Sequence, residues 1–125
     1  MSFTTQTLAN PLATSFAKDT VSNLTVETAA SSGTNIYFVE IANPNSTTAA
    51  YVKIFAAASN SAITGQHVLQ LYCASNTTCY YYIPTSLAIT TGLQFYVSTT
   101  PGISSNSNTL VAPGTGVTVK IGTGA

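Results

Sequence analysis

Residues 36 to 55 read Ile-Tyr-Phe-Val-Glu-Ile-Ala-Asn-Pro-Asn-Ser-Thr-Thr-Ala-Ala-Tyr-Val-Lys-Ile-Phe. Two runs of β-branched and aromatic residues flank a polar loop, the pattern of two strands joined as a hairpin with a longer connection. Pro44 has no backbone N–H, so it belongs in that loop and not in a central ladder. Side chains alternate across a strand, which sets Tyr37, Val39 and Ile41 on one face and Ile36, Phe38 and Glu40 on the other. Tyr51, Lys53 and Phe55 oppose Val52, Ile54 and Ala56 in the same way. Glu40 and Lys53, one on each strand, are expected to pair across the hairpin or to stand as solubilising charges on its outward faces. Both faces are largely apolar, which suits strands covered by a core on one side and by aromatics or a partner on the other.

Similar short runs lie on either side. Leu24 and Val26 alternate with Asn23, Thr25 and Glu27 in residues 21 to 29, and Leu69 and Leu71 point inward from residues 67 to 72. Tyr80-Tyr-Tyr-Ile83 reads as a strand stopped by Pro84. Leu93, Phe95 and Val97 alternate with Gln94 and Tyr96, and Val117, Val119 and Ile121 close the series. Turn residues such as Ser31-Ser-Gly33 separate the runs, and residues 101 to 109 form the longest polar loop, the one expected to move most. About seven or eight short strands spaced in this way predict an all-β chain. The expected architecture is a single antiparallel β-sandwich of jelly-roll or immunoglobulin-like type over residues 21–125. No long helix interrupts the runs, so a parallel βαβ sheet is not expected. In residues 1–20 the spacing of Leu8, Leu12 and Phe16 is helical, but Pro11 and the surrounding Thr and Ser oppose a helix, and the segment reads as an extended N-terminal arm.

The 125 residues suffice for one domain with its own core. Only 5% are charged, against roughly 25% in ordinary soluble domains, and the three basic and three acidic residues cancel. Nucleic acid is therefore not an expected partner, because there is no basic stripe to neutralise phosphates. A membrane is not expected either: no polybasic cluster is present, and no run reaches the ~18 apolar residues of a span. The first residues lack the basic and apolar regions of a secretory signal. A surface with so little net charge gives weak repulsion between copies, which favours assembly.

Each candidate for chemistry has a plainer reading. Cys73 and Cys79 bound a five-residue loop, a spacing that allows a disulfide stapling a hairpin and equally allows two free thiols in a reducing compartment. Two Cys and the distant His67 do not fill the four positions of a structural zinc, so no metal or cofactor is expected. His67 has no Gly-x-Ser-x-Gly elbow to serve and reads as a polar turn residue. Asp19, Glu27 and Glu40 are not spaced as a glycosidase pair. No catalytic residue is assigned, and the chain is not expected to be an enzyme. Tyr80, Tyr81 and Tyr82 are the candidate interface aromatics, suited to a protein neighbour or to stacking on a sugar. The Asn-x-Ser/Thr triplets at Asn23, Asn45 and Asn76 accept glycans only in a secretory setting.

One family resemblance emerges from the order of elements. Ala50-Tyr-Val-Lys-Ile-Phe-Ala-Ala-Ala-Ser59 is followed by Val68-Leu-Gln-Leu-Tyr72, Tyr80-Tyr-Tyr-Ile-Pro84 and Leu87-Ala-Ile-Thr-Thr-Gly-Leu-Gln-Phe-Tyr-Val-Ser-Thr-Thr100. Across residues 36 to 100 this resembles small β-sandwich virion proteins of tailed bacteriophages, from which it departs in carrying the Cys73 and Cys79 loop. The resemblance implies a capsid decoration (cement) protein, with a tail or vertex accessory protein as the alternative. It further implies the major capsid protein and a second or third copy of the chain as partners, in a dimer or trimer, and assembly into virions in the host cytoplasm. A glycan-binding adhesion module using the tyrosines is the alternative from another class.

Overall fold

The computed structural model describes residues 15–59, 61, 63, 66–101 and 110–124, with backbone alone for 15–17. Eight strands are present: β1 (Ser15–Val21), β2 (Glu27–Ala30), β3 (Thr34–Asn43), β4 (Ala50–Phe55), β5 (Leu69–Cys73), β6 (Thr77–Ile89), β7 (Leu93–Ser98) and β8 (Val117–Gly124). They form two four-stranded sheets, A in the order β1-β8-β3-β6 and B in the order β2-β7-β4-β5. The pairs β1·β8, β2·β7, β3·β6 and β4·β5 are all antiparallel. They are successive rungs of one long hairpin whose tip is the β4–β5 connection. Rolling that hairpin up brings β3 beside β8 and β4 beside β7, and the result is a jelly roll, the first of the two sandwich types expected.

The roll breaks the hairpin read in residues 36 to 55. β3 and β4 do follow one another, but they lie in different sheets, and the Asn-Pro-Asn loop crosses the sandwich edge instead of turning back. Glu40 consequently does not meet Lys53. It stands between Lys120 on β8 and Tyr80 on β6. A register shift between Ile36 and Phe38 also sets Ile36 inward with Val39 and Ile41, where simple alternation grouped it with Phe38. β6 likewise runs past Pro84. As the outer strand of sheet A it leaves one side unpaired, and the register resumes only at Leu87, so a residue without an N–H is tolerated.

The main core lies between the sheets. Ile36, Val39, Ile41, Val117, Val119 and Ile121 of sheet A face Val52, Ile54, Leu93, Phe95 and Val97 of sheet B. The outer face of sheet B is covered as well. Phe55, Tyr96 and Leu110 form a second apolar cluster, joined by Leu24 and Val26 from the β1–β2 connection and by Ala57 and Ile63 from the β4–β5 connection. This is why β7 is buried along its whole length. Leu24 and Val26, expected in a strand, belong to this covering loop. Residues 15–20, expected in the N-terminal arm, pair with β8. Residues 1–14 and the loop over 102–109 lie outside the described residues.

A polar clasp gathers three connections at one end of the roll. Asn43 Nδ2 donates to the carbonyls of Thr48 (2.9 Å) and Ala74 (3.1 Å), while its Oδ1 accepts from the backbone N–H and Nδ2 of Asn45. Asn45 in turn donates to the Thr115 carbonyl and accepts from the Thr115 N–H, each at 3.1 Å. The Asn76 N–H closes on the Asn45 carbonyl at 2.7 Å. Both Asn45 side-chain atoms are used and the residue is buried, so this triplet offers no amide to a glycan. Asn23 and Asn76 remain exposed.

Candidate functional site

Among the described residues no loop covers the outer face of sheet A. Register sets its residues in cross-strand rows. One row is Lys18, Lys120, Glu40 and Tyr80; the next toward the β1 start is Gly122, Phe38 and Tyr82; and the next the other way is Thr20, Thr118, Ala42 and Thr78. Half of the six charged residues of the chain therefore fall in a single row. Lys120 Nζ lies 3.3 Å from Glu40 Oε2. The Glu40 carboxylate beside it holds the Tyr80 hydroxyl's pKa above the ordinary phenol value.

The three consecutive tyrosines part company because a strand alternates. Tyr80 and Tyr82 face solvent at 56% and 68% exposure. Their rings are parallel within 7°, with centroids 6.3 Å apart. Phe38 packs against Tyr82 from β3, centroids 6.1 Å apart. Gly122 makes room for it: a Cβ there would stand 2.2 Å from the Phe38 ring. Tyr81 points the other way, packs on the core, and donates its hydroxyl to the Tyr72 carbonyl, tying sheet A to sheet B. Of the three candidate interface aromatics, Tyr80 and Tyr82 are available to a partner and Tyr81 is a structural strut.

Beside the tyrosines the sheet surface is recessed, because Ala42 is the small member of its row. A recess of about 220 Å³ is lined by Lys18, Glu40, Ala42, Thr118 and Lys120. It shares Ala42 and Thr118 with a second recess of about 380 Å³ that continues to Asn43, Pro44, Asn76, Thr77 and Thr78.

A different group of perturbed side chains lies beneath the loops on sheet B. Lys53 is 0% exposed. Its Nζ donates to the Thr100 carbonyl at 2.9 Å and lies 5.3 Å from the centroid of the Tyr96 ring. Burial pulls its pKa down to about 8. His67 is also lowered, by burial and then by the Lys53 charge, and burial raises Tyr96. Perturbed groups mark active sites when a substrate can reach them. Lys53 is sealed from solvent, and its contacts fasten the 99–100 segment to the sheet. The sequence signal that was available is the placement of a lysine within an apolar run; nothing in it says that loops cover that face.

Cys73 and Cys79 are free thiols on strands of different sheets. Cys73 donates to the carbonyls of Thr77 (3.2 Å) and Ile41 (3.4 Å). Burial first, and then hydrogen bonding with the neighbouring Cys79 thiol, pushes its pKa up to about 12, so it carries little thiolate at neutral pH. Among the described residues no three His, Cys, Asp or Glu side chains gather as a metal-holding cluster, and no helix is long and apolar enough to cross a membrane. Asp19, Glu27 and Glu40 sit on three different strands. No protein-family model matches the chain, and no curated protein matches it.

Proposed function

We propose that the chain is a structural virion protein, a decoration (cement) protein that binds and stabilises the capsid shell of a tailed bacteriophage. The observation that carries this reading is the strand order, since jelly rolls build viral capsid and lectin domains. That support comes from architecture and adds to the resemblance over residues 36 to 100. The neutral surface supports a protein that works in contact with neighbours, as a dimer or trimer against the major capsid protein. Two free thiols suit assembly in the reducing host cytoplasm.

The flank of sheet B is the side assigned to the shell. The exposed large apolar residues Val68, Tyr72 and Val111 all belong to that half of the molecule, and an apolar, weakly charged patch is what a lasting interface uses. Purified virions analysed by mass spectrometry should contain the chain in hundreds of copies per particle, and capsids stripped of it should take it back. A few to tens of copies would make it a tail or vertex protein instead. Absence from the particles ends the reading. Tyr72→Ser combined with Val111→Ser should lower the recovery of stripped capsids without unfolding the chain.

A further inference from the structure

We propose that the outer face of sheet A is a carbohydrate-binding surface for an uncharged oligosaccharide of two or three pyranose units. One sugar lies against Tyr80 and Tyr82, and the next occupies the recess over Ala42. The site stands apart from the shell-facing flank and does not depend on that assignment.

A pyranose ring is amphipathic: its C–H face seeks an aromatic ring, and its hydroxyls need both donors and acceptors around the edge. Sheet A's outer face presents that combination. Tyr80 and Tyr82 supply exposed parallel rings. They are packed before any ligand arrives, Tyr82 against Phe38 and Tyr80 against Tyr82, so little ordering cost falls on binding. The adjoining recess supplies the edge chemistry: the Glu40 carboxylate accepts, the Lys18 and Lys120 ammonium groups donate, and the Thr118 and Thr78 hydroxyls do either. At about 380 Å³ the larger recess falls within the ~300–1,000 Å³ usual for small-ligand sites.

Other occupants fit less well. Among the described side chains the apolar part is two rings and a half-buried Phe38, while the row of Tyr80 carries charge, the residue class depleted at the centre of protein interfaces. Two ammonium groups, one of them paired with Glu40, do not make the phosphate-neutralising stripe that nucleic acid needs. The absence of net excess charge beyond Lys18 favours an uncharged sugar over a polyanionic one.

The test is an array of immobilised glycans probed with the full chain, followed by titration of the isotope-labelled protein with cellotriose, maltotriose and chitotriose as defined probes. Saturable binding of at least one glycan is expected, with amide shifts centred on Tyr80, Tyr82, Ala42 and Thr118. Tyr82→Ala removes an exposed side chain and should weaken binding at least about fivefold, the loss expected for one aromatic contact. Ala42→Leu fills the recess and should do the same while leaving both tyrosines in place. Tyr72→Ala, on the other sheet, should leave affinity unchanged. No saturable glycan on the array would overturn the proposal, as would binding that survives either Tyr82→Ala or Ala42→Leu in a protein whose denaturation midpoint shows it folded.

Discussion

Glu40 and Lys120 face each other on neighbouring strands of sheet A with their charged ends 3.3 Å apart, although 80 positions of sequence separate them. The lysine nearest to Glu40 in the Asn-Pro-Asn stretch, Lys53, is on the other sheet and buried. Two lysines of similar surroundings in sequence thus have opposite roles, one solvated and one structural.

The exposed Glu40–Lys120 pair should add little to stability. Its side chains are 38% and 24% accessible, so solvent screens the attraction and exposed pairs of this kind are worth about 1 kcal/mol or less. A double-mutant cycle with Glu40→Ala and Lys120→Ala in urea denaturation should return a coupling within that bound. It should shrink further in 1 M salt, where the Debye length falls to ~3 Å.

Lys53 should behave differently. Its folded pKa of about 8 lies below the ordinary lysine value of 10.5, so between those values the unfolded chain binds more protons than the folded one. Stability conferred by this group therefore rises with pH from about 8 toward 10.5 and is flat below 8. Between pH 7 and 9 the wild type should gain about 1 kcal/mol relative to Lys53→Met, read from urea midpoints at each pH. Cys73 and Tyr96, whose pKa values are raised, act in the opposite direction at higher pH, which is why the comparison is made against the variant and stops at 9. A pH-independent difference between the two proteins would show that the ammonium group is solvated.

The asparagine clasp should be the costliest polar site to disturb. Asn43 is 2% exposed and serves backbone groups of two crossovers. Asn43→Ala strands several buried partners at once, at about 3 kcal/mol. Asn23→Ala removes one exposed turn contact, to the Thr25 N–H at 3.0 Å, and should change stability by no more than about 0.5 kcal/mol. Chemical denaturation of the two variants side by side decides the matter.

Gly122 and Phe38 should be coupled. A methyl group at Gly122 meets the Phe38 ring at 2.2 Å, so Gly122→Ala is expected to cost about 1–3 kcal/mol by overpacking. In a Phe38→Ala background the same substitution should cost markedly less, because the obstructing ring is gone. Equal costs in both backgrounds would mean that the backbone, not the ring, excludes the side chain.

Much of the fold was legible in the residues. Alternation in residues 69 to 72, 93 to 97 and 117 to 121 identified β5, β7 and β8 and their inward sides, and the absence of a helical period gave a two-sheet antiparallel class. Alternation also carried the signal that separates Tyr81 from Tyr80 and Tyr82, though a run of three identical residues reads most easily as one patch. What periodicity cannot express is adjacency. It says which side of a strand is wet and nothing about which strand lies beside it, so β3 and β4 read as a hairpin when the roll sends them to different sheets. Bulges are invisible for the same reason: the extra residue at Tyr37 re-aims Ile36 only once its partner strands are in place.

Residue order and composition are enough to make this chain form short strands, bury one side of each and present a neutral, hydroxyl-rich surface. Those outcomes follow from local geometry and from the poor solvation of apolar side chains, which act within a few residues. The fates of the charges and aromatics depend instead on how distant segments pack. Lys53 is buried because three connections, β1–β2, β4–β5 and β7–β8, fold over sheet B, and Tyr80 and Tyr82 are open because none folds over sheet A's outer face among the described residues. That difference depends on contacts between segments as distant as Thr20 and Thr118, which no local pattern encodes.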